Sequence, residues 1–240
     1  YGSGGITDTL GSARAAGAGQ FQIKGVGLTP LFPAEEQKYQ GERNTLKEKF
    51  LGFVEDQVHG HGGASVREAI LEASFGEVEN RELPQGANRV AFILTTGVTR
   101  FYSGIIPEPG ALIVRQNSIR PAHFLPNERL VEDDPDAEKE RIHSLFHKFL
   151  RALPTPKSQP EDLSQGERLN QGIHEMTRRI ADKYATEYVH SLYHSSYSPS
   201  NIEINGRAID YGGLLAVKGF SPETWGPDEL GNGDLDRLRY

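Results

Sequence analysis

Cysteine is absent from this 240-residue chain, whose composition is otherwise ordinary, with 36% hydrophobic and 25% charged residues. A chain without cysteine is compatible with a reducing cytoplasm, where we expect it to be located. The same absence removes thiolate ligands for zinc. His59 and His61 lie in a glycine-rich stretch with no third ligand in view, so we interpret that stretch as a loop before a helix.

Three further features are missing from the sequence. No apolar run approaches the roughly 20 residues that a membrane span requires, and no secretory signal is visible. No long basic run is present and the net charge is −7, which argues against a nucleic-acid partner. We therefore predict no membrane or nucleic-acid partner, while the oligomeric state stays open.

Met176 is the only methionine, so Tyr1 is not an initiator residue. We therefore expect the chain to be a fragment or to lack an N-terminal segment.

The sequence of residues 198–212 predicts a metal-binding hairpin. Two short strands flank Asn205 and Gly206, the strongest two-residue signal for a type I′ turn. A tight hairpin of this kind brings Asn201 and Asp210 side by side, an amide oxygen next to a carboxylate. Such hard oxygen ligands suit a Mg²⁺ ion that also holds phosphates. The alternative is an ordinary surface hairpin that uses its asparagine as a cap.

A long helical pattern precedes this hairpin. Apolar residues recur at intervals of three and four over residues 173–192, which indicates one apolar helix face. A helix followed by His194, then Asn201, a hairpin and Asp210 has the order of the protein-kinase catalytic loop and its metal-binding aspartate. The catalytic aspartate of the kinase pattern is replaced by Ser196.

Lys24 and Glu68 are candidates for a kinase-type ion pair. Lys24 ends a short predicted strand and is followed by glycines, which let the backbone approach a ligand closely. A lysine there can bind phosphate as a point charge, or it can be a solvated residue at a strand end. Ser65 and Glu68 form a capping box that opens a helix. Glu68 either only caps that helix or also pairs with Lys24 and fixes it over a nucleotide.

Two arginines accompany a predicted strand pair. Residues 90–96 and 111–114 are typical of buried strands, and Arg115 follows the second directly. Arg120 could reach the same space across a short turn. Two arginines that converge on one site usually bind phosphate or carboxylate, because the planar guanidinium contacts oxyanions through two atoms. Two separate surface ion pairs are the alternative.

These segments, in this order, resemble the selenoprotein O family, whose members have a kinase-like fold and transfer AMP to proteins. LGSARA resembles the family's L-G-D-G-R-A, QIKGVGLTP its Q-L-K-G-x-G-x-T-P, and SVRE its S-I-R-E. PEPGALIVR with Arg120, His123 and Phe124 resembles R-E-P-G-A-V-x-x-R…R-F-G-H-F. The hairpin segment has the length of H-G-V-x-N-T-D-N-M-S-I-x-G-L-T-I-D-Y-G, and it keeps the metal-binding Asn and Asp.

The resemblance implies an α+β, two-lobed protein-kinase-like fold with a strand-rich N-lobe and a helical C-lobe. It implies AMP transfer from ATP to a protein or peptide, with Mg²⁺ or Mn²⁺ held by Asn201 and Asp210. Catalysis would depend on Lys24 and on Glu68, which orients it. The residues expected to contact the nucleotide are Gly11, Arg14, Lys24, Arg115, Arg120 and Asp210.

The chain departs from the family pattern where the family carries its proposed proton acceptor. Ser200 occupies that position, and a serine of normal pKa cannot take a proton from a substrate hydroxyl unaided. One alternative is therefore a nucleotide-binding pseudokinase scaffold. Another is adenylation of a peptide carboxylate, which is already ionised at pH 7 and needs no base. Gln57 and Val58 replace a further nucleotide-contacting Asp-Gly of the family.

The chain divides in sequence into two parts. Residues 1–124 contain the glycine-rich turns, the strands and the helix that begins at Ser65, and we predict that they form the N-lobe. Residues 125–240 contain two helical patterns, the hairpin and a tail rich in Gly, Pro and Asp, and we predict that they form part of the C-lobe. Relative to the family, we expect much of the C-terminal helical region to be missing.

Overall fold

The computed structural model of the chain describes residues 12, 14–27, 29, 62–100, 107–156, 163–194, 198–211 and 214–216. Within these ranges the protein is a mixed α+β fold with an antiparallel sheet and several helices, which confirms the α+β class predicted from the sequence. Gly11, the histidines at 59 and 61, and the tail beyond residue 216 lie outside the described residues. None of the helices in the described ranges is both long and apolar enough to cross a membrane.

The elements follow one another in a simple order. The strands are β1 (Ala15–Ala18), β2 (Phe21–Lys24), β3 (Ala64–Ser65), β4 (Val90–Arg100), β5 (Glu108–Gln116), β6 (Leu192–Tyr193) and β7 (Leu215–Ala216). The α-helices are α1 (Val66–Glu82), α2 (Glu128–Asp133), α3 (Pro135–Ala152) and α4 (Gln165–Val189), and a 3₁₀ helix spans Pro121–Phe124.

The chain folds as two compact units that alternate along the sequence. The first unit is formed from the described parts of Tyr1–Ala73, Arg89–Ile119 and His123–Lys148. The second is formed from Ser74–Asn88, Arg120–Ala122 and the described parts of Phe149–Tyr240. The sheet of strands β1 to β5 belongs to the first unit, and the hairpin and α4 belong to the second.

The sheet of the first unit is antiparallel and centred on β5. Hydrogen-bonded neighbours follow the order β1-β2-β5-β3, and β4 also pairs with β5 over most of its length. Ala64, Ala69, Ala111 and Ile113 form the buried apolar cluster between sheet and helix. Gly25 permits close packing here, since its φ is +95° and an added Cβ would lie 2.7 Å from the Ala111 carbonyl oxygen. Gly25 thus lets β2 and β5 pack closely, while the predicted approach of this backbone to a ligand stays a prediction.

Strand β4 corrects one prediction. Residues 90–96 are predicted as a buried strand, but the strand extends to Arg100 and much of it is exposed. Phe92 is 48% exposed and Leu94 is 49% exposed. Residues 91 and 92 and all residues from 94 to 99 are exposed, so among the described residues neither face of β4 is covered over most of its length. Strand β5, by contrast, is mostly buried, as predicted.

Helix α4 begins earlier than the apolar pattern indicates. Ser164 is its N-cap in a complete capping box: the Glu167 N–H donates to Ser164 Oγ at 3.3 Å, and the Ser164 N–H donates to Glu167 Oε2 at 2.9 Å. The helix ends at Val189, three residues before the predicted limit. Ser-x-x-Glu is a known start signal, so this boundary was readable from the sequence.

The buried face of α4 is polar, which the apolar stripe does not predict. Ile173, the first member of the stripe, is 40% exposed, whereas Glu175, Lys183 and Glu187 are buried. Lys183 Nζ donates to Glu187 Oε1 at 2.6 Å. An i, i+4 ion pair of this kind makes burial of two charges tolerable, because each side chain is the other's partner.

Candidate functional site

The first unit contains a buried network of charged side chains at the ends of β2 and β5. Gln22 and Lys24 alternate onto one face of β2, and the register pairs Gln22 with Arg115 on β5. All three side chains are buried, Gln22 at 0%, Lys24 at 2% and Arg115 at 1% exposed. Two cations from adjacent strands are thus held on one face of the sheet.

Helix α1 supplies two carboxylates to this network. The Glu68 N–H donates to Ser65 Oγ at 3.1 Å, so the serine caps the helix as predicted. Glu68 and Glu72 are four residues apart and therefore lie on the same helix face. Both carboxylates contact Lys24: Glu68 Oε1 lies 2.9 Å from Lys24 Nζ, and Glu72 Oε1 also accepts from it. The predicted pairing of Glu68 with Lys24 is present in this geometry, together with the serine half of the predicted capping box.

Arg14 and Arg115 occupy the two ends of the network. Arg14 contacts Glu68 through both terminal nitrogens, at 2.7 and 3.2 Å, and also donates to the Gly63 carbonyl. Arg115 NH1 lies 3.2 Å from Glu72 Oε2. Arg115 Nε donates to Gln22 Oε1 at 3.0 Å. The outer pair of Arg14 and Glu68 is partly exposed at 17% and 20%, whereas the inner groups are fully buried.

Glu72 and Gln22 are members of this network that sequence reasoning missed. The signal for Glu72 was its position four residues after Glu68, on the face already assigned to Lys24. For Gln22 the signal was its position two residues before Lys24, on the same face of a strand.

The hairpin of the second unit has a different turn from the one predicted. The Gly206 N–H donates to the Glu203 carbonyl, and the Glu203 N–H donates to the Arg207 carbonyl, both at 2.9 Å. Gly206 has φ +88°, whereas Asn205 does not have the positive φ that a type I′ turn requires. This is a three-residue loop that ends in a glycine bulge. The Asn205 side chain stabilises it by accepting from the Arg207 N–H at 3.0 Å.

The two predicted hairpin strands are present only as a single bridge, and the bulge shifts the pairing of the two arms by one residue. Ile202 pairs with Ala208, and the Ile209 N–H donates to the Asn201 carbonyl at 3.3 Å. Asn201 is therefore opposite Ile209, one residue short of the side-by-side pairing predicted with Asp210. Asp210 follows directly and has φ +69°, in the left-handed region that aspartate tolerates better than most residues. Backbone conformations of this kind are concentrated at functional sites.

Side chains next to the hairpin fix it from both ends. The Arg207 guanidinium donates to the Ala87 carbonyl at 2.7 Å, and Asn88 Nδ2 donates to Glu203 Oε1. The buried His194 ring has its Nε2 3.2 Å from the Ile209 carbonyl. The residue just before Asp210 is thus held by a histidine that the sequence pattern aligns with the first position of the kinase catalytic loop.

Replacing Gly206 with alanine is expected to destabilise the second unit by about 1–3 kcal/mol, because an L-residue is strained at positive φ. An added Cβ would also lie 2.6 Å from the Arg179 Cβ on α4. Urea unfolding followed by circular dichroism measures the change. Gly166→Ala is the matched control, since no atom lies within 4 Å of its added Cβ, and there we expect a gain of about 0.5–1 kcal/mol. A Gly206→Ala protein as stable as the parent would contradict this account of the turn.

Ser200 lies in a hydroxyl cluster at the start of the hairpin. Its Oγ is hydrogen-bonded to Ser198 Oγ and lies 3.4 Å from Asn201 Oδ1. Arg120 NH1 donates to the Ser200 carbonyl at 2.8 Å. None of the partners identified for Ser200 among the described residues is a base. The two arginines predicted to converge have separate partners, since Arg115 contacts Glu72 and Gln22.

Compared with protein-family models and with curated proteins, the chain matches none. Two sets of described residues are therefore the candidates for a functional role. One is a buried set of cations suited to phosphate oxygens, and the other offers amide and carboxylate oxygens on a fixed hairpin, the donor type that Mg²⁺ and Mn²⁺ prefer.

Proposed function

We propose that the chain is an ATP-dependent nucleotidyltransferase with a two-lobed, protein-kinase-like fold, which transfers AMP to a protein or peptide. The observation that carries this proposal is the ion pairing of Lys24, at the end of a sheet strand, with carboxylates on the helix that follows. That arrangement is the one protein kinases use to hold a lysine against nucleotide phosphates. The resemblance to the selenoprotein O motifs favours AMP transfer over phosphate transfer.

Each residue set has a role in this proposal. Lys24, Arg115 and Arg120 bind phosphate oxygens, and Gly11 and Arg14 belong to the nucleotide loop. Glu68 orients Lys24. Asn201 and Asp210 hold Mg²⁺ or Mn²⁺, which supplies neutralisation of phosphate charge when bound. The donor set fits such an ion, because both side chains present hard oxygens.

In the proposed reaction an acceptor oxygen forms a bond to the α-phosphorus of ATP. The bond from that phosphorus to the α–β bridging oxygen breaks, and pyrophosphate leaves with the bonding electrons. A hydroxyl acceptor also releases its proton, to solvent or to a group of the bound substrate. The protein contributes mainly by positioning and by electrostatic stabilisation, as in other reactions at phosphorus.

Parallel incubations with α-³²P-ATP and γ-³²P-ATP, in the presence of Mg²⁺, test the assignment. We expect label on a protein or peptide acceptor from α-³²P-ATP only, because the α-phosphorus is the atom transferred. Label from γ-³²P-ATP alone would make the protein a kinase. Failure to bind any nucleotide would overturn the catalytic proposal altogether.

The surroundings of Ser200 favour a second candidate, adenylation of a peptide carboxylate. Its identified partners are the Ser198 hydroxyl, the Asn201 side chain and Arg120, none of which accepts a proton readily at pH 7. A carboxylate acceptor needs no base. Hydroxylamine added to the ATP reaction distinguishes the two, because it converts an acyl-adenylate to a hydroxamate with release of AMP. An AMP adduct that survives hydroxylamine would eliminate the carboxylate.

The non-catalytic alternative is a pseudokinase scaffold that binds nucleotide but transfers no group. Thermal unfolding with ATP and Mg²⁺ identifies it, since a ligand that binds the folded state raises the unfolding temperature. Stabilisation without transfer to any of many candidate acceptors would support the scaffold.

A further inference from the structure

Glu72 joins the two cations that the proposed function assigns to phosphate. Its Oε1 accepts from Lys24 Nζ, and its Oε2 lies 3.2 Å from Arg115 NH1. The three side chains are 0% to 2% exposed. One carboxylate with one oxygen on each cation therefore fixes the spacing between an ammonium and a guanidinium on adjacent strands.

The other contacts of the network restrict both cations further. Gln22 Oε1 accepts from Arg115 Nε at 3.0 Å, so two different nitrogens of the guanidinium have fixed partners. Glu68 reaches Lys24 from the partly exposed side and is itself held by Arg14. Long cationic side chains lose rotamer freedom when they bind a ligand, so cations already held in place lose less on binding.

We propose that Glu72 is a positioning residue that holds Lys24 and Arg115 at a fixed spacing for oxygens of two different phosphates in one polyphosphate chain. This deepens the proposed function and rests on it. The roles of the two carboxylates on α1 then differ. Glu68 orients Lys24 alone and belongs to the outer pair with Arg14, whereas Glu72 makes Lys24 and Arg115 act together.

Removal of the Glu72 carboxylate should change ATP binding in opposite directions, depending on whether its charge or its positioning of the two cations matters more. The network contains three cations and two carboxylates, so loss of one carboxylate increases its positive charge. If charge alone decides, Glu72→Gln binds ATP more tightly than the parent protein. If the carboxylate fixes the spacing, Glu72→Gln binds ATP more weakly despite the extra positive charge. The direction of the change separates the two explanations.

Calorimetric titration of ATP, ADP and AMP with Mg²⁺ measures this direction. We expect Glu72→Gln to weaken ATP binding by about tenfold, the size of effect of one charge-assisted hydrogen bond. AMP binding should change little, because a monophosphate does not span two cations. Glu77→Gln is the matched control: it removes the same charge from an exposed position of the same helix, and its selectivity for ATP over AMP should equal that of the parent.

Arg115→Lys is a second variant, which keeps the charge but loses the guanidinium that contacts Glu72 and Gln22 together. We expect Arg115→Lys to lose the selectivity for ATP over AMP to a similar extent. The double variant, Glu72→Gln with Arg115→Lys, should lose little more than either single variant, because both substitutions disrupt the same contact between Glu72 and Arg115. Tighter or unchanged ATP binding in Glu72→Gln, or additive losses in the double variant, overturns the positioning role. If Glu72→Gln does not fold, undiminished selectivity in Arg115→Lys also overturns it. If the parent protein binds ATP but the variants do not behave as expected, the positioning role is wrong and the proposed function is unaffected. If the parent protein binds no nucleotide, the positioning role and the proposed function are both wrong.

Discussion

Replacement of Asp210 with asparagine is expected to lower the initial rate of the proposed AMP transfer by about 10²–10³-fold, the range found when one preorganised electrostatic group is removed. In the proposed metal site the Asp210 carboxylate would supply a full negative charge to the ion, which an amide cannot. Asparagine is the appropriate substitution because Asp210 has φ +69°, a conformation that asparagine tolerates and alanine does not. The hairpin backbone should therefore keep its conformation, and the loss can be assigned to the charge.

The measurement is the rate of α-³²P incorporation at saturating ATP over a range of Mg²⁺ and Mn²⁺ concentrations. We expect the Asp210→Asn protein to require more metal for half-maximal rate as well as to react more slowly. Asp182→Asn is the matched control, because it removes the same charge from a residue of α4 whose side chain is 42% exposed and pairs with Arg178. Undiminished transfer by Asp210→Asn would remove Asp210 from the metal site.

Sequence patterns between near neighbours predicted the segments that contain the charged network and the hairpin, but they did not predict how those segments pair with one another. The strand before Lys24 and the cap at Ser65 depend on contacts between near neighbours in sequence, so they were visible in it. The hairpin was also visible, but its turn type was not. Asn-Gly fits a type I′ turn and also a type I turn with a glycine bulge, so the dipeptide alone does not determine which turn forms.

The charged contacts across the network could not be predicted by periodicity. A heptad or alternation pattern states which face a residue is on, whereas the choice of Glu72 as the bridge between Lys24 and Arg115 depends on the register of β2 with β5. Buried charge on α4 was missed for a similar reason. Hydrophobic patterning assumes that buried residues are apolar, and it therefore placed the buried face on the stripe that begins at Ile173.

The buried acids of the second unit give the protein a predictable response to pH. Glu79, on α1, is 0% exposed, and Glu187, on α4, is equally buried. Burial first and the charge of Glu187 second raise the pKa of Glu79 from 4.5 to about 8, while Lys183 acts in the opposite direction. Glu79 therefore keeps its proton at neutral pH in the folded protein, although it would ionise near pH 4.5 in the unfolded chain.

This difference in pKa determines the sign of the pH effect. Between pH 4.5 and about 8 the folded state binds more protons at Glu79 than the unfolded state does, so the free energy of unfolding falls as pH rises through that window. Below the window Glu79 is protonated in both states and has no such effect. Glutamine resembles the protonated acid in shape and cannot ionise, so Glu79→Gln should be little changed at pH 4.5 and more stable than the parent by about 2–4 kcal/mol at pH 9.

Urea unfolding at pH 5, 7 and 9, followed by circular dichroism, measures the two pH profiles. We expect the parent to lose stability relative to Glu79→Gln as the pH increases, with most of the divergence above pH 5. Glu77→Gln, an exposed substitution on the same helix, should run parallel to the parent. Parallel profiles for Glu79→Gln and the parent would mean that Glu79 ionises alike in the folded and unfolded states, and that Glu187 and Lys183 form the buried charge pair without a protonated neighbour.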